Sequence, residues 1–236
     1  MELILAFALA GVLLTYLPGV VVRSRACADL RAASRGRLAL TFDDGPGASL
    51  EPKLLELLER HGAKATFFLL GCRADAAPAR CDALVRAGHE VGCHGYGHVD
   101  AWRSTPWRAI SDIRKGFAAL APWIRDSGLF RPAFGKLTLW TWIELACRRG
   151  RIAYWTHDSG DTHATRPSAE RVASAVGEDG GGVVLLHSFD RRDPGGAAEQ
   201  FVLDATESLL LLARKRDWQV CTVSTLMTGR RAERRS

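Results

Sequence analysis

The sequence predicts an α/β protein, a parallel sheet covered by helices and wound into a small or incomplete barrel. Three observations carry that expectation. Strand-like and helix-like stretches alternate along most of the chain. The strand-like stretches are continuously apolar, as in strands buried on both faces. Polar residues capable of chemistry fall just after these strands, where the carboxyl ends of a parallel sheet converge on one mouth. About seven strand–helix units fit the length, slightly few for an eightfold barrel.

The elements follow in order. Residues 37–42 form a short apolar strand that ends in the turn cluster Asp43-Asp44-Gly45-Pro46. Residues 50–60 carry Leu54, Leu55, Leu57 and Leu58 at helical spacing. A second strand covers 65–70, a helix 76–87 ends at Gly88, and a third strand, 89–94, runs into a His/Gly-rich loop. Helix 106–120, strand and loop 129–135 and helix 137–149 come next. Strand 151–155 then leads into His157-Asp158-Ser159-Gly160-Asp161. Ser168 is placed to cap helix 168–176. Strand 182–187, helix 197–215 and strand 218–223 complete the pattern.

The chain has 236 residues, 47% hydrophobic and 25% charged, with no low-complexity run. That suits one globular domain with a short appendage and excludes disordered and fibrous classes. No repeat period suggests a solenoid or propeller. The net charge of +6 comes from dispersed arginine, densest at Arg230, Arg231, Arg234 and Arg235. No basic stretch is interleaved with aromatics, so no nucleic-acid partner is expected. The six cysteines have no tight metal spacing.

Residues 3–22 carry no charge and would span about 30 Å as a helix. The start lacks basic residues and the end lacks a small-residue cleavage site, so a retained membrane anchor is expected over a cleaved signal. Arg23, Arg25, Arg31, Arg35 and Arg37 follow the run. By the positive-inside rule they favour the cytoplasmic side of a bacterial-type inner membrane for the following domain. The expected organisation is an anchor over 1–22, a basic linker over 23–36, a catalytic domain over 37–226 and a basic tail over 227–236.

The chemistry lies in residues far apart in sequence. Two adjacent carboxylates at a strand end, Asp43 and Asp44, need a cation or shared proton nearby. His94 and His98 lie four apart, with Gly95 and Gly97 opposing a regular helix, so a loop clamp suits them. One Asp and two His leave a coordination position open for water, as a catalytic metal site requires. His187, ending an apolar strand, is a candidate general acid. Asp158 and Asp161 are placed to hydrogen-bond it, and Arg131 to pair with Asp43.

In this order, these residues resemble the polysaccharide deacetylase family, the NodB-homology domain of carbohydrate esterase family 4. The likeness runs from about residue 38 to 223. It rests on the Asp43-Asp44 segment, on 88–98, on Arg131-Pro132-Ala133-Phe134-Gly135, on 158–161 and on Leu185-Leu186-His187. Ala133 stands where the family usually has Pro and Thr162 where an exposed Trp usually follows. The resemblance implies a distorted (β/α)7-type barrel that removes acetyl groups from N-acetylated sugars of a glycan. It implies Asp44, His94 and His98 as ligands of a divalent metal, zinc foremost and cobalt, manganese or nickel as alternatives. It further implies Asp43 as base, His187 as acid, Arg131 positioning the base, and Asp158 or Asp161 tuning the acid. The Phe134 N–H would hold the oxyanion and Leu185 the acetyl methyl. An O-acetyl esterase, or an inactive glycan-binding module on the same fold, is the alternative.

Overall fold

The computed structural model describes residues 2–124, 128–190 and 196–233. A long helix, α1 (Glu2–Ala33), precedes β1 (Arg37–Gly45), α2 (Leu50–Arg60), β2 (Thr66–Leu69), α3 (Gly71–Ala76), α4 (Pro78–Arg86) and β3 (Glu90–Cys93). There follow α5 (Pro106–Ile124), β4 (Leu129–Phe130), α6 (Leu139–Cys147), β5 (Arg151–Ile152), β6 (His157–Asp158) and α7 (Ala169–Glu178). The chain continues through β7 (Gly182–His187), α8 (Ala197–Lys215), β8 (Gln219–Val220) and α9 (Val223–Glu233). All strand pairs are parallel, in the order β5-β4-β3-β2-β1-β7-β6 with β8 beside β1. This helix-covered half-barrel is the distorted (β/α)7-type fold expected.

The central strand β1 shows why its sequence is apolar throughout. Leu38, Leu40 and Phe42 enter the larger core cluster with Leu54 and Leu58 of α2 and Phe67 of β2. Ala39 faces the other way, into a smaller cluster with Phe68, Tyr154 and Val183. Both faces are covered, so alternation disappears. Each fully buried Leu or Phe contributes about 1.5–3 kcal/mol.

Three local differences from expectation have plain causes. The helix expected over 76–87 starts at Pro78 as α4, which Pro78 opens as its first residue, and a further short helix not expected, α3, precedes it, the two separated by Ala77 at φ −145°. The expected strand 218–223 is only Gln219–Val220, since α9 begins at Val223. Part of the expected basic tail is thus helical, and Arg234–Ser236 lie outside the described residues. Ser168 does cap α7, its side chain accepting the Arg171 N–H at 3.2 Å.

The N-terminal reading needs a larger correction. Among the described residues no helix is long and apolar enough to cross a membrane. The expected anchor over 3–22, and with it the membrane partner and the inner-membrane location, are therefore not supported. The residues expected as a linker from Arg23 to Ala33 instead continue the same helix. That helix lies against the barrel: Tyr16 packs on Trp102, Gly19 meets Leu137, and Arg23 stacks on Trp155.

Gly19 is the tightest point of this docking. A Cβ there would lie 1.9 Å from the Leu137 carbonyl oxygen, whereas one at Gly11 would meet nothing within 4 Å. Gly19→Ala should lower the melting temperature by about 2–8 °C despite its helix propensity. Gly11→Ala should raise it by up to about 3 °C. Calorimetric melts of both read the sign, and a rise for Gly19→Ala would refute the docking.

Candidate active site

The mouth is built where β1, β3, β4 and β7 end. Strand period 2 points Thr41 and Asp43 to the same side, and Arg131, just after β4, reaches both. Its Nη1 donates to Asp43 Oδ1 at 2.7 Å and to Thr41 Oγ1 at 2.8 Å. Nη2 donates to the Tyr154 carbonyl at 3.0 Å and Nε to that of Ala153 at 3.4 Å. The guanidinium also lies 4.1 Å from the Phe68 ring centroid. Arg131 is fully buried and Asp43 nearly so. Burial pushes the Asp43 carboxyl pKa up, against the pull of Arg131, His187 and His98.

Asp44 follows at a break in register, where Asp43 pairs with Phe68 but Gly45 with Leu69. Its φ of +65° marks the bulge, and both carboxylates approach His94 Nε2, Asp43 Oδ2 at 3.7 Å and Asp44 Oδ1 at 3.5 Å. Asp44 Oδ1 lies 3.5 Å from His94 Nε2 and 3.5 Å from His98 Nε2. The three ligand atoms all lie within 4.8 Å of one another. His94 Nδ1 donates to the Arg131 carbonyl at 2.8 Å, since a carbonyl can only accept, and this leaves the Nε2 lone pair facing Asp44. Burial lowers the His94 pKa to about 3, so the ring stays neutral. His98 sits in an irregular loop at φ +58°, as the glycines around it foretold.

On the neighbouring strand His187 pairs in register with Asp43. Its Nδ1 donates to Asp161 Oδ1 at 2.9 Å and its backbone N–H to Asp161 Oδ2 at 3.0 Å. Asp161 is fully buried. Burial alone would lower the His187 pKa, but the hydrogen bond and charge of Asp161, with Asp43 and Asp44, hold it above its usual value. Asp158 takes no part in this pair, its carboxylate instead accepting the Gly160 N–H at 2.9 Å in its own turn. Leu185, two residues before His187, is buried on the same side of β7. Phe134 is half exposed at φ +56°, with its ring 4.4 Å from that of His98.

Several supporting residues carried no sequence signal. Thr41 shares Arg131 with Asp43. Arg73 Nη1 donates to the Asp44 carbonyl at 2.7 Å and fixes the bulge. Behind that bulge the buried Glu51 Oε2 and Ser188 Oγ flank Gly45, where an added Cβ would meet both. Burial raises the Glu51 pKa to about 8.

A family model described as polysaccharide deacetylase matches residues 31–145. The chitooligosaccharide deacetylase of a Bradyrhizobium species is 33% identical over 172 residues, covering 71% of this chain and 75% of that protein. The chain belongs to the polysaccharide deacetylase family. A peptidoglycan-N-acetylglucosamine deacetylase of Bacillus cereus is 28% identical over 192 residues, 80% of this chain and 87% of that protein. The solved Bc1960 peptidoglycan N-acetylglucosamine deacetylase superposes with a TM-score of 0.72 at 28% identity, covering 81% of this chain and 88% of that one. The polysaccharide deacetylases depend on a divalent metal, and Asp44, His94 and His98 fit one. Asp44 Oδ1 is buried without a hydrogen-bond partner, a costly state for a carboxylate oxygen unless a cation satisfies it.

Two pH-dependent outcomes follow from these environments. A buried acid with a raised pKa destabilises the fold progressively as pH rises from its ordinary 4.5 to about 8. Glu51→Gln, which mimics the neutral acid, should remove that slope in denaturant melts taken across this window. Asp161→Asn should lower the His187 pKa, read from the titration of its ring protons by NMR. An unshifted titration would show that Asp161 does not set it.

Proposed function

We propose that this protein is a metal-dependent N-deacetylase of N-acetylhexosamine glycans. One observation carries the reading. A three-ligand cluster stands beside two differently tuned proton carriers, Asp43 held by Arg131 and His187 held by Asp161, on adjacent strands. The names of the relatives support the substrate class, one acting on peptidoglycan N-acetylglucosamine and another on chitooligosaccharides. The complete set of groups supports a working enzyme over an inactive glycan-binding module.

Asp44, His94 and His98 would hold the ion. Asp44 Oδ1 lies 3.5 Å from each imidazole Nε2, close enough for the three groups to share one small cation, and the His₂Asp donor set favours zinc. A bound ion would supply Lewis-acid polarisation of the acetyl carbonyl and a lowered pKa for water. Asp43 accepts the proton of the attacking water. Its raised pKa makes it a stronger base, and Arg131, bonded to Oδ1, fixes the carboxylate with Oδ2 3.7 Å from His94 Nε2. The Phe134 N–H, on the turn beside His98, is the proposed donor to the developing oxyanion, worth up to ~3–4 kcal/mol. His187 donates the Nε2 proton to the leaving amine, which cannot depart as an anion. Asp161 holds the Nδ1 proton in place and stabilises the charged ring. Leu185 supplies apolar surface for the acetyl methyl.

Asp43→Asn should lower acetate release from an N-acetylglucosamine oligomer by two orders of magnitude or more while leaving the bound metal unchanged by elemental analysis. His94→Ala should lose the metal itself, and a chelator should abolish release from the parent protein. Near-normal turnover by Asp43→Asn, or chelator-resistant release, would overturn the reading.

A further inference from the structure

The docked N-terminal helix adds Tyr16 to an aromatic strip at the edge of the Asp44–His94–His98 cluster. The Phe134 ring lies 4.4 Å from His98. Lys136 Nζ sits 5.2 Å from the Phe134 ring centroid and 5.8 Å from that of Trp102. Tyr16 of α1 meets Trp102 edge-on, with centroids 5.5 Å apart and planes at 73°. These groups run without a break from a metal ligand to α1. We propose that Tyr16, Trp102 and Lys136 form, with Phe134, a subsite for a neighbouring sugar ring of a polymeric substrate. The proposal rests on the deacetylase reading above and extends it to how the chain selects long glycans.

Two features make the strip a binding surface rather than loose surface residues. First, it is held rigid. The Trp102 indole N–H donates to the Leu137 carbonyl at 3.0 Å and its backbone N–H to Asp100 at 2.9 Å. Lys136 is fixed by Asp100 at 2.6 Å. On the α1 side, Gly19 abuts Leu137, and Arg23 lies 5.0 Å over Trp155 with Nη1 3.5 Å from the Gly135 carbonyl. A preformed surface loses little conformational freedom on binding. Second, it stays open to a ligand: Trp102 is 40% and Phe134 53% exposed although the indole N–H is already satisfied. Aromatic faces with a few fixed polar groups suit a pyranose, whose C–H faces are apolar and whose rim is hydroxylated. The Asp100–Lys136 pair supplies those polar groups.

The test compares substrates of two lengths. Kinetics are measured on an N-acetylglucosamine dimer and pentamer for the parent, Trp102→Ala, Trp102→Phe and Tyr16→Ala. Trp102→Ala should raise KM for the pentamer by about tenfold, with the dimer kcat/KM changed less than about twofold. Trp102→Phe should recover most of the loss, and Tyr16→Ala should show a smaller loss of the same kind. Equal effects on both lengths, or none, would overturn the subsite. Calorimetric binding of the pentamer is measured in the Asp43→Asn background, where turnover is not needed. Weaker binding on adding Trp102→Ala supports the subsite even if no acetate is released, an outcome that sinks only the deacetylase reading. Unaltered binding, or no binding to the background protein, sinks the subsite, while acetate release judges the deacetylase reading separately.

Discussion

A whole guanidinium charge buried inside the barrel governs the rest of this structure. Removing an ion from water costs several kcal/mol unless its charge and its N–H groups are all met. Arg131 meets that demand through Asp43, Thr41 and two backbone carbonyls, with Phe68 against its face. Those partners come from β1, β2 and the segment after β5, so the ion locks three parts of the sheet into one geometry. Its own carbonyl then accepts from His94, tying the nearest metal-ligand candidate to the same group. Truncating either side chain would leave the other's polar atoms buried without their partner, whereas Asp43→Asn keeps an oxygen that can accept from Arg131.

Backbone strain is concentrated in the same place. Among the described residues, five non-glycine residues have positive φ, and Asp44, His98 and Phe134 are three of them. Such conformations cost free energy and persist only where the surroundings over-determine them. Here each turns one group toward the mouth: a carboxylate at the β1 bulge, an imidazole from a loop and the backbone of a 3₁₀ turn. The packing beneath them, with Leu38, Leu40, Phe42 and Phe67 fully buried, supplies the rigidity. Rigid placement of dipoles and proton carriers is what lowers a hydrolytic barrier.

Much of the candidate site was legible because residue types capable of this chemistry are few in kind and sit at strand ends. Asp44, His94 and His98 do converge, as does Arg131 on Asp43. The choice between Asp158 and Asp161 was not legible, because both follow the same strand. Burial and the path of the turn decide that Asp161 meets His187 while Asp158 caps Gly160. Thr41, Arg73, Glu51 and Ser188 were silent in the sequence, since no residue type or spacing marks a supporting hydrogen bond.

The contrast is sharpest at the N-terminus. Hydropathy is a local property, and residues 3–22 read by themselves as a lipid-spanning helix. Docking is a property of shape: Gly19 lets α1 approach Leu137, and Tyr16 and Arg23 find ring partners more than 80 residues away. The sequence alone determined the alternation of buried strands and helices and which titratable residues fall at the strand ends, because periodicity and residue type are written in order along the chain. Tertiary structure alone decided which carboxylate faces which imidazole and where α1 rests. Both depend on distances between residues that the order of the chain does not encode.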